Sequence, residues 1–208
     1  MKSGAYKILG RSGAGSLIAE FLLSEINVNY TIVFVDSNES EIDDFDVKHP
    51  QGKIPTMICP DQSSIFETLA IVNHITDRFD KLVPERRTFL YDRYYQFLSL
   101  MATSIYPAYH RQHHSQYYVG KSSYEDLQVR AHNEQVVIYD YIEKELDQYI
   151  CGDLLTAADF YLYMLIRWDL HKDVLFNGRP KLKAFSNRIR NRPAVMKVLE
   201  NQPKRKRA

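Results

Sequence analysis

KHPQGKIPTM, at residues 48–57, is the most informative stretch of this chain, together with IFET at residues 65–68. Proline has no main-chain N–H and cannot donate to a β ladder, so Pro55 predicts the beginning or the edge of the strand that follows it. A cis Ile54–Pro55 bond would suit a tight turn there, although most X–Pro bonds are trans. A glutamate and a threonine then begin an apolar-periodic segment, which predicts a helix over residues 67–79.

The amino end of a helix that begins at Glu67 and Thr68 would offer a ligand two features. Its first main-chain N–H groups have no partner within the helix, and the helix dipole places a partial positive charge there. A ligand carboxylate can bind at such an end. A peptide lying along the residue before Pro55, with its acid end at Thr68, would therefore fit this stretch.

Length, composition and charge narrow the class of protein. The chain has 208 residues, which suits two small domains, and 45% of them are hydrophobic, which is enough to build a core. The formal net charge of +1 argues against a strong global attraction to nucleic acid or anionic lipid. We interpret the basic tail at residues 204–208 as a solvated end, with a lipid or nucleic-acid contact as the less favoured alternative.

Cysteine usage and the distribution of apolar residues bear on location. Cys59 and Cys151 lie far apart and form neither a Cys-x-x-Cys motif nor the spacing of a zinc site, so a disulfide framework and secretion are not expected. The first residues lack the apolar core of a signal peptide, and no run approaches the roughly 18 apolar residues of a membrane helix. We therefore expect a soluble, cytoplasmic protein.

The first part of the chain alternates between predicted strands and predicted helices. Strands are predicted at residues 6–9, 30–35, 56–58 and 64–66, and helices at 16–23 and 67–79. The polar, acidic residues 36–48 predict a loop with a weak helix. This βαβ…ββα order is typical of a thioredoxin-like domain, to which we assign residues 1–80.

The second part of the chain, residues 87–203, predicts an all-helical domain after a linker at residues 81–86. Apolar residues recur every three or four positions along its first helix, at Leu90, Tyr94, Phe97, Met101 and Ile105. Pro107 should kink or break that helix. Further helices are predicted at residues 124–149, 156–170, 180–190 and 193–199.

Thr156 and Asp159 form a capping-box sequence at the start of one of these helices. The Thr156 hydroxyl can accept from the N–H of Asp159, and the Asp159 carboxylate can accept from the N–H of Thr156. Such boxes are common, so we assign these two residues a structural role.

These motifs together resemble the glutathione transferase superfamily, and its bacterial members most of all. The residues that carry the resemblance are the His-Pro-x-Gly-x-hydrophobic-Pro pattern at residues 49–55, Glu67–Thr68 at a helix start, and the Thr156–Asp159 box. The resemblance runs over nearly the whole chain. It implies the glutathione transferase fold, an α/β thioredoxin-like N-terminal domain followed by an all-α C-terminal helical domain, and a homodimer.

The resemblance also implies which residues hold glutathione. The main chain of Ile54, before Pro55, would pair with the tripeptide, and Lys53 would offer charge to its glycyl carboxylate. Thr68 would take the γ-glutamyl carboxylate, and Glu67 would face the amine. A solvated surface lysine at Lys53 and a plain helix cap at Glu67–Thr68 are the alternatives.

The reaction of glutathione requires a group that stabilises its thiolate. A thiol with a pKa of about 8.5 is only about 3% ionised at pH 7, and a hydrogen-bond donor at the amino end of the first helix can lower that pKa. Ser12 is the first candidate donor, Ser16 the second, and a main-chain group or another donor the third. Ser12 as a simple turn residue is the competing interpretation.

The sequence departs from the family at the catalytic position. Many bacterial transferases have the run Gly-Ala-Cys-Ser-Leu, whereas this chain has Gly15 in place of the cysteine, and it lacks a tyrosine at the end of the first strand. A nucleotide site is not expected in this glycine-rich loop, because Ile18 stands where a dinucleotide motif would need its third glycine.

An electrophile pocket would be lined by aromatic side chains of the helical domain. We assign to it Tyr106, Tyr109, His110 and Trp168, because apolar, aromatic walls suit hydrophobic electrophiles. His110, His113 and His114 have helical spacing, but no carboxylate nearby completes a metal site, so no metal is expected.

The sequence therefore predicts a glutathione transferase that conjugates glutathione to hydrophobic electrophiles by thiolate attack, with detoxification as its role. One alternative is a non-enzymatic binding or regulatory member of the fold, of the RNA-polymerase-associated type. Another is a glutathione-dependent peroxide or disulfide reductase. An isomerase of this superfamily matches less well, because its Ser-Ser-Cys-like site is absent.

Overall fold

The structure, a computed structural model, describes residues 5–35 and 49–203. The chain divides into two compact units, one formed by Met1–Leu82 with Asn191–Ala208 and the other by Val83–Arg190. The loop and weak helix predicted at residues 36–48 and the basic tail at residues 204–208 lie outside the described residues.

The first unit is built around a four-stranded mixed sheet. Its elements are β1 (Tyr6–Gly10), α1 (Leu17–Glu25), β2 (Tyr30–Phe34), β3 (Thr56–Ile58), β4 (Ser64–Phe66) and α2 (Thr68–Phe79). The strand order is β2-β1-β3-β4, with β1 parallel to β2 and antiparallel to β3. The fold class predicted for this half of the chain is confirmed.

Apolar side chains of the central strands and of α1 form the core of this unit. Ile8 and Met57 are opposite each other in the β1–β3 ladder and both are fully buried. Gly10 ends β1 where a Cβ atom would overlap the side chain of Ser16. A glycine at this position therefore lets the loop before α1 return close to the strand.

The second unit consists of helices. Its elements are α3 (Phe89–Leu100), a π-helical turn (Met101–Ile105), α4 (Tyr106–His113), α5 (Tyr124–Glu145), α6 (Ala157–Trp168), α7 (Lys172–Leu175) and α8 (Pro180–Arg190), with short 3₁₀ turns at Ser115–Tyr117 and Lys121–Ser123. None of the helices in the described part of the chain combines the length and the hydropathy of a membrane-spanning segment.

Two of the departures from the predicted helices have different causes, one local and one distant in the sequence. The chain does not break at Pro107 but passes from α3 to α4 through the π-helical turn, a device that accommodates an interrupted hydrogen-bond ladder. The helix predicted to reach residue 149 ends at Glu145, where Arg93 donates to the Glu145 carbonyl at 2.7 Å and to the Ile150 carbonyl at 2.7 Å. A cation at the carboxyl end of α5 satisfies carbonyl groups that the helix leaves unpaired.

Residues 157–166 of α6 are all buried, and the helix begins at the capping box. The Asp159 carboxylate accepts from the Thr156 N–H at 2.7 Å, from the Thr156 hydroxyl at 2.9 Å and from the Ile150 N–H at 2.9 Å. Burial raises the pKa of Asp159 to about 6 although these hydrogen bonds act in the opposite direction. The box therefore joins the start of α6 to the segment that follows α5.

The last helix, α9 (Pro193–Glu200), returns to the first unit and packs on α1. The sequence had assigned it to the helical domain at residues 87–203. Val195 and Val198 are buried, and Arg192 forms an ion pair with Glu25 at the end of α1. The apolar face of α9 thus completes the core of the sheet-containing unit.

Candidate functional site

The loop before β3 carries Ile54, whose main chain has no partner in the part of the chain that the structure describes. The Ile54–Pro55 bond is cis, and Pro55 is buried at the entrance to β3. Lys53, next to Ile54, is exposed. This segment can accept a further extended strand, because its N–H and C=O are available to a peptide.

The amino end of α2 lies immediately after β4. Glu67 precedes the helix with a φ of 69°, a conformation that residues other than glycine seldom adopt, and its side chain is 69% exposed. Thr68, the first helical residue, is buried. The positive φ turns the chain sharply at this corner, so that α2 begins directly beside the end of the sheet.

His49 ties the loop that carries Lys53 and Ile54 to this corner. Its Nε2 lies 3.4 Å from Glu67 Oε1, its Nδ1 accepts from the Gln51 N–H at 3.0 Å, and its ring packs edge-on against Phe66. Among the residues predicted to bind glutathione, this nearly buried histidine therefore positions Glu67.

The two candidate serines both donate to carbonyl oxygens. Ser12 Oγ donates to the Pro203 carbonyl at 2.7 Å, and Ser16 Oγ, which is fully buried, donates to the Arg11 carbonyl at 3.2 Å. The hydroxyl of Ser16 makes no capping hydrogen bond to α1. Ser12 is the more accessible of the two.

Gln202 links the loop of Ser12 to a buried acid on α1. Its Oε1 accepts from the Gly13 N–H at 2.9 Å and its Nε2 donates to Glu20 Oε2 at 3.0 Å. The other oxygen of the Glu20 carboxyl is buried and has no partner among the described residues. Burial raises the pKa of Glu20 to about 7, although Gln202 and Ser16 lower it.

Three of the four residues predicted for the electrophile pocket form one aromatic cluster in the helical unit. The Trp168 ring lies 5.1 Å from that of Tyr106 and 5.3 Å from that of Tyr109. His110, whose Nδ1 lies 2.7 Å from Tyr118 Oη, connects to this cluster through further rings. Its ring packs against His114, His114 packs against His113, and His113 stacks on Tyr109. No group of three or more potential ligands for a metal ion is found among the described residues.

Two protein-family models match most of the chain. "Glutathione S-transferase, N-terminal domain" matches residues 6–77, and "Glutathione S-transferase, C-terminal domain" matches residues 98–193. The chain belongs to the glutathione S-transferase family. The family and the fold that the sequence predicted are thereby confirmed.

Relatives of this chain are found among bacterial proteins. It is 26% identical to glutathione S-transferase GstA of Escherichia coli O157:H7 over 206 residues, with 93% of this chain and 96% of GstA covered. It is 22% identical to glutathione S-transferase GST-4.5 of Xanthomonas campestris, with 88% and 92% covered.

Solved structures share the fold at low sequence identity. A glutathione transferase homologue from Sulfitobacter, determined with bound glutathione, gives a TM-score of 0.83 at 21% identity, covering 94% of this chain and 97% of that one. Ure2p in complex with glutathione gives a TM-score of 0.79 at 19% identity, covering 97% and 96%.

Three residues of the site region were given no role from the sequence. His49 stood within the quoted pattern, but nothing in the spacing indicated its pairing with Glu67. Gln202 lies at the far end of the chain from the loop that it contacts. Glu20 did carry a signal, since it is the one acid among the apolar residues at positions 17–23 of a predicted helix, and the structure buries all of these positions.

Proposed function

We propose that this protein binds glutathione and transfers it to hydrophobic electrophiles by thiolate attack. One observation carries the proposal. The main chain of Ile54, which has no partner among the described residues, lies in the same unit as the amino end of α2. Membership of the glutathione S-transferase family supports it.

The tripeptide would bind as an added strand. Its cysteinyl main chain pairs with Ile54 beside Pro55, in the way that an extended peptide adds to a sheet edge. The γ-glutamyl carboxylate lies at the amino end of α2, near Thr68, where N–H groups and the helix dipole favour an anion. Glu67, held by His49, accepts from the amine, and Lys53 attracts the glycyl carboxylate.

The thiol would be activated at the amino end of α1. Lowering a thiol pKa by two units needs about 2.7 kcal/mol of differential stabilisation, which one hydrogen bond and a helix end can supply together. Ser12 is the proposed donor, with Ser16 or a main-chain N–H as the alternatives. Because Ser12 Oγ donates to the Pro203 carbonyl, it would have to exchange that acceptor for the thiolate.

The engagement of both hydroxyls favours a second candidate function. Ser12 and Ser16 donate to carbonyl oxygens, and Gly15 stands where many bacterial transferases have cysteine. A protein that binds glutathione without conjugating it would not depend on either hydroxyl, and a reductase that uses glutathione on a peroxide or disulfide would need another donor to stabilise the thiolate. A regulatory protein of the RNA-polymerase-associated type, which would not bind glutathione, is a further form of this alternative.

Retention on immobilised glutathione, followed by an assay with chlorodinitrobenzene, separates these functions. Retention with turnover supports the transferase, retention without turnover supports the binder or reductase, and failure to be retained supports the regulatory protein.

We expect Thr68→Ala to weaken retention about tenfold through the lost carboxylate contact. Ser64→Ala, an exposed change on β4, is the matched control and should be retained like the parent chain.

Ser12→Ala tests the proposed donor. If Ser12 stabilises the thiolate, the pKa of bound glutathione should rise by roughly one to two units, so turnover at pH 7 falls about 10- to 100-fold and recovers at higher pH. Unchanged turnover across that pH range would remove Ser12 from the mechanism.

We further propose that the protein is a cytoplasmic homodimer that acts in detoxification. Its electrophile would contact Tyr106, Tyr109, His110 and Trp168. Large apolar side chains on α3 and α5 support association, since Phe89 is 88% exposed and Val137 is 68% exposed. Light scattering after size-exclusion chromatography measures the mass directly. A monomer at micromolar concentration would contradict the dimer without affecting glutathione binding.

A further inference from the structure

Two residues that follow α9, Gln202 and Pro203, contact the loop before α1, and we call them the C-terminal strap. The Pro203 carbonyl accepts from Ser12 Oγ at 2.7 Å, and Gln202 Oε1 accepts from the Gly13 N–H at 2.9 Å. The strap and this loop belong to the same unit. The far end of the chain thus engages two donors of the loop in which a bound thiol would be activated.

The strap is positioned by its own contacts with α1 and α9. The side-chain amide of Gln202 donates to Glu20 Oε2 at 3.0 Å and to the Val198 carbonyl at 3.4 Å. Because these two acceptors hold the amide nitrogen, the amide oxygen is directed at the Gly13 N–H. A group that is already held in place loses little freedom when it pairs, so a strap of two residues can compete for the loop.

The contact between the strap and the loop is nevertheless open to displacement by a ligand. Pro203 is exposed, and Ser12 and Gln202 are half-buried. A Cβ atom at Gly13 would meet no heavy atom within 4 Å beyond those of its chain neighbours, so the space beside this residue is open. A hydrogen bond in such a place contributes little net free energy, since water can replace either partner. The strap therefore holds the loop reversibly.

The strap and a thiolate would need the same hydrogen atoms. The Ser12 hydroxyl has one hydrogen to donate, and so has the Gly13 N–H. While the strap accepts both, a sulfur atom at the loop cannot receive a full hydrogen bond from either. The Ser16 hydroxyl is no substitute, because it is fully buried and donates to the Arg11 carbonyl. Binding of a thiolate at this loop is therefore coupled to release of the strap.

We propose that the C-terminal strap is an autoinhibitory element of the glutathione site. It occupies the donors of Ser12 and Gly13 while the site is empty, and it must leave them before the thiolate of bound glutathione is stabilised. This inference rests on the proposed function. Since the coupling between two sites is reciprocal, removal of the strap should stabilise the bound thiolate by the same factor by which the thiolate weakens the strap.

Truncation tests this competition. A chain ending at Asn201 keeps α9 but lacks both acceptors of the strap. The pKa of its bound glutathione thiol should lie about 0.5–1 unit below that in the parent chain, because each lost acceptor had the strength of one hydrogen bond. At a pH below that pKa, the thiolate fraction should therefore be about 3- to 10-fold larger, and the ultraviolet absorbance of the thiolate measures it.

A chain ending at Lys204 is the matched control. It loses most of the basic tail but keeps the Pro203 carbonyl as part of an amide, so the pKa of its bound thiol should equal that in the parent chain. The same pKa in the chain ending at Asn201 would overturn the proposal.

Ser12→Ala locates the effect within the loop. In the chain ending at Asn201, where the Ser12 hydroxyl no longer has the Pro203 carbonyl as its acceptor, this change should raise the pKa of the bound thiol by about half a unit more than in the parent chain. An equal rise in both chains would show that the strap does not compete for this hydroxyl, and would contradict the proposal.

Amide chemical shifts of the isotope-labelled parent chain separate a failure of this inference from a failure of the proposed function. Glutathione that binds as proposed should shift the amides of Ile54 and Thr68. If it also releases the strap, the side-chain amide of Gln202 should shift with the same saturation curve. Shifts at Ile54 and Thr68 without a change at Gln202 would overturn the autoinhibition alone. If none of these groups shifted, glutathione binding itself would be contradicted, and this inference with it.

Discussion

Burial of the Glu20 carboxyl makes the stability of the folded chain depend on pH. Its pKa of about 7 lies above its ordinary value near 4.5, so the folded chain holds this proton more tightly than the unfolded chain. The stability that it contributes is therefore complete below about pH 4.5 and is lost as the pH rises through 7. Burial, with the charge of Glu20 as a second cause, raises the pKa of the nearby Tyr30 to about 12.

Glu20→Gln should remove this dependence, since an amide does not ionise. Each pKa unit corresponds to about 1.4 kcal/mol, so relative to the parent chain the variant should gain about 2–3 kcal/mol between pH 5 and pH 8. Urea unfolding at several pH values measures the difference. Glu200→Gln, an exposed change on α9, should run parallel to the parent chain, and a similar parallel curve for Glu20→Gln would contradict the assignment.

Asp159 differs from Glu20 because both of its carboxylate oxygens accept hydrogen bonds, whereas one oxygen of Glu20 has no partner among the described residues. Asp159→Ala leaves the buried N–H groups of Ile150 and Thr156 without an acceptor, which should cost about 3 kcal/mol of unfolding free energy. Thermal or urea unfolding gives this value. Asp153→Ala, an exposed change in the same segment, should cost less than about 0.5 kcal/mol. A loss at Asp159 no larger than that would mean that the box contributes little.

At the scale of elements, local patterns were enough to predict most of the architecture. Pro55 marked the start of β3, Glu67 and Thr68 marked the start of α2, and the Thr156–Asp159 box marked the start of α6, because each signal lies within a few residues of the boundary it sets. The end of α5 could not be predicted in the same way. It depends on Arg93, which lies 52 residues away from Glu145.

The contact between the C-terminal segment and the loop before α1 had no signal in the sequence either. Gln202 lies 189 residues from Gly13 and 182 from Glu20, and no motif or period relates positions so far apart. The predicted role of Ser12 rested on its place after β1, whereas its observed acceptor, the Pro203 carbonyl, comes from the other end of the chain. Local patterns therefore located the loop but not what covers it.

Gln202→Ala tests whether this segment holds the loop in place. The change removes the acceptor of the Gly13 N–H and the donor to Glu20, so the Gly13 amide should exchange with solvent at least about tenfold faster. The pKa of Glu20 should rise further, because Gln202 now lowers it. Hydrogen exchange measured by NMR reports the first effect. Unchanged exchange at Gly13 would mean that the loop keeps its conformation by itself.

At the scale of the molecule, the sheet-containing unit is assembled from both ends of the chain. A chain ending at Arg190 would lack α9, whose Val195 and Val198 are buried and whose neighbour Arg192 pairs with Glu25. Burying two valines contributes roughly 3–6 kcal/mol, a large part of the 5–15 kcal/mol that stabilises a typical domain.

We therefore expect amide protection in β1 and β2 to be lost in the truncated chain, while amides of α6 stay protected within Val83–Arg190. A chain ending at Pro203 keeps α9 and Gln202 and should retain full protection in both units. If β1 and β2 remained protected without α9, the first unit would be complete without the C-terminal helix, and its discontinuity would have no energetic consequence.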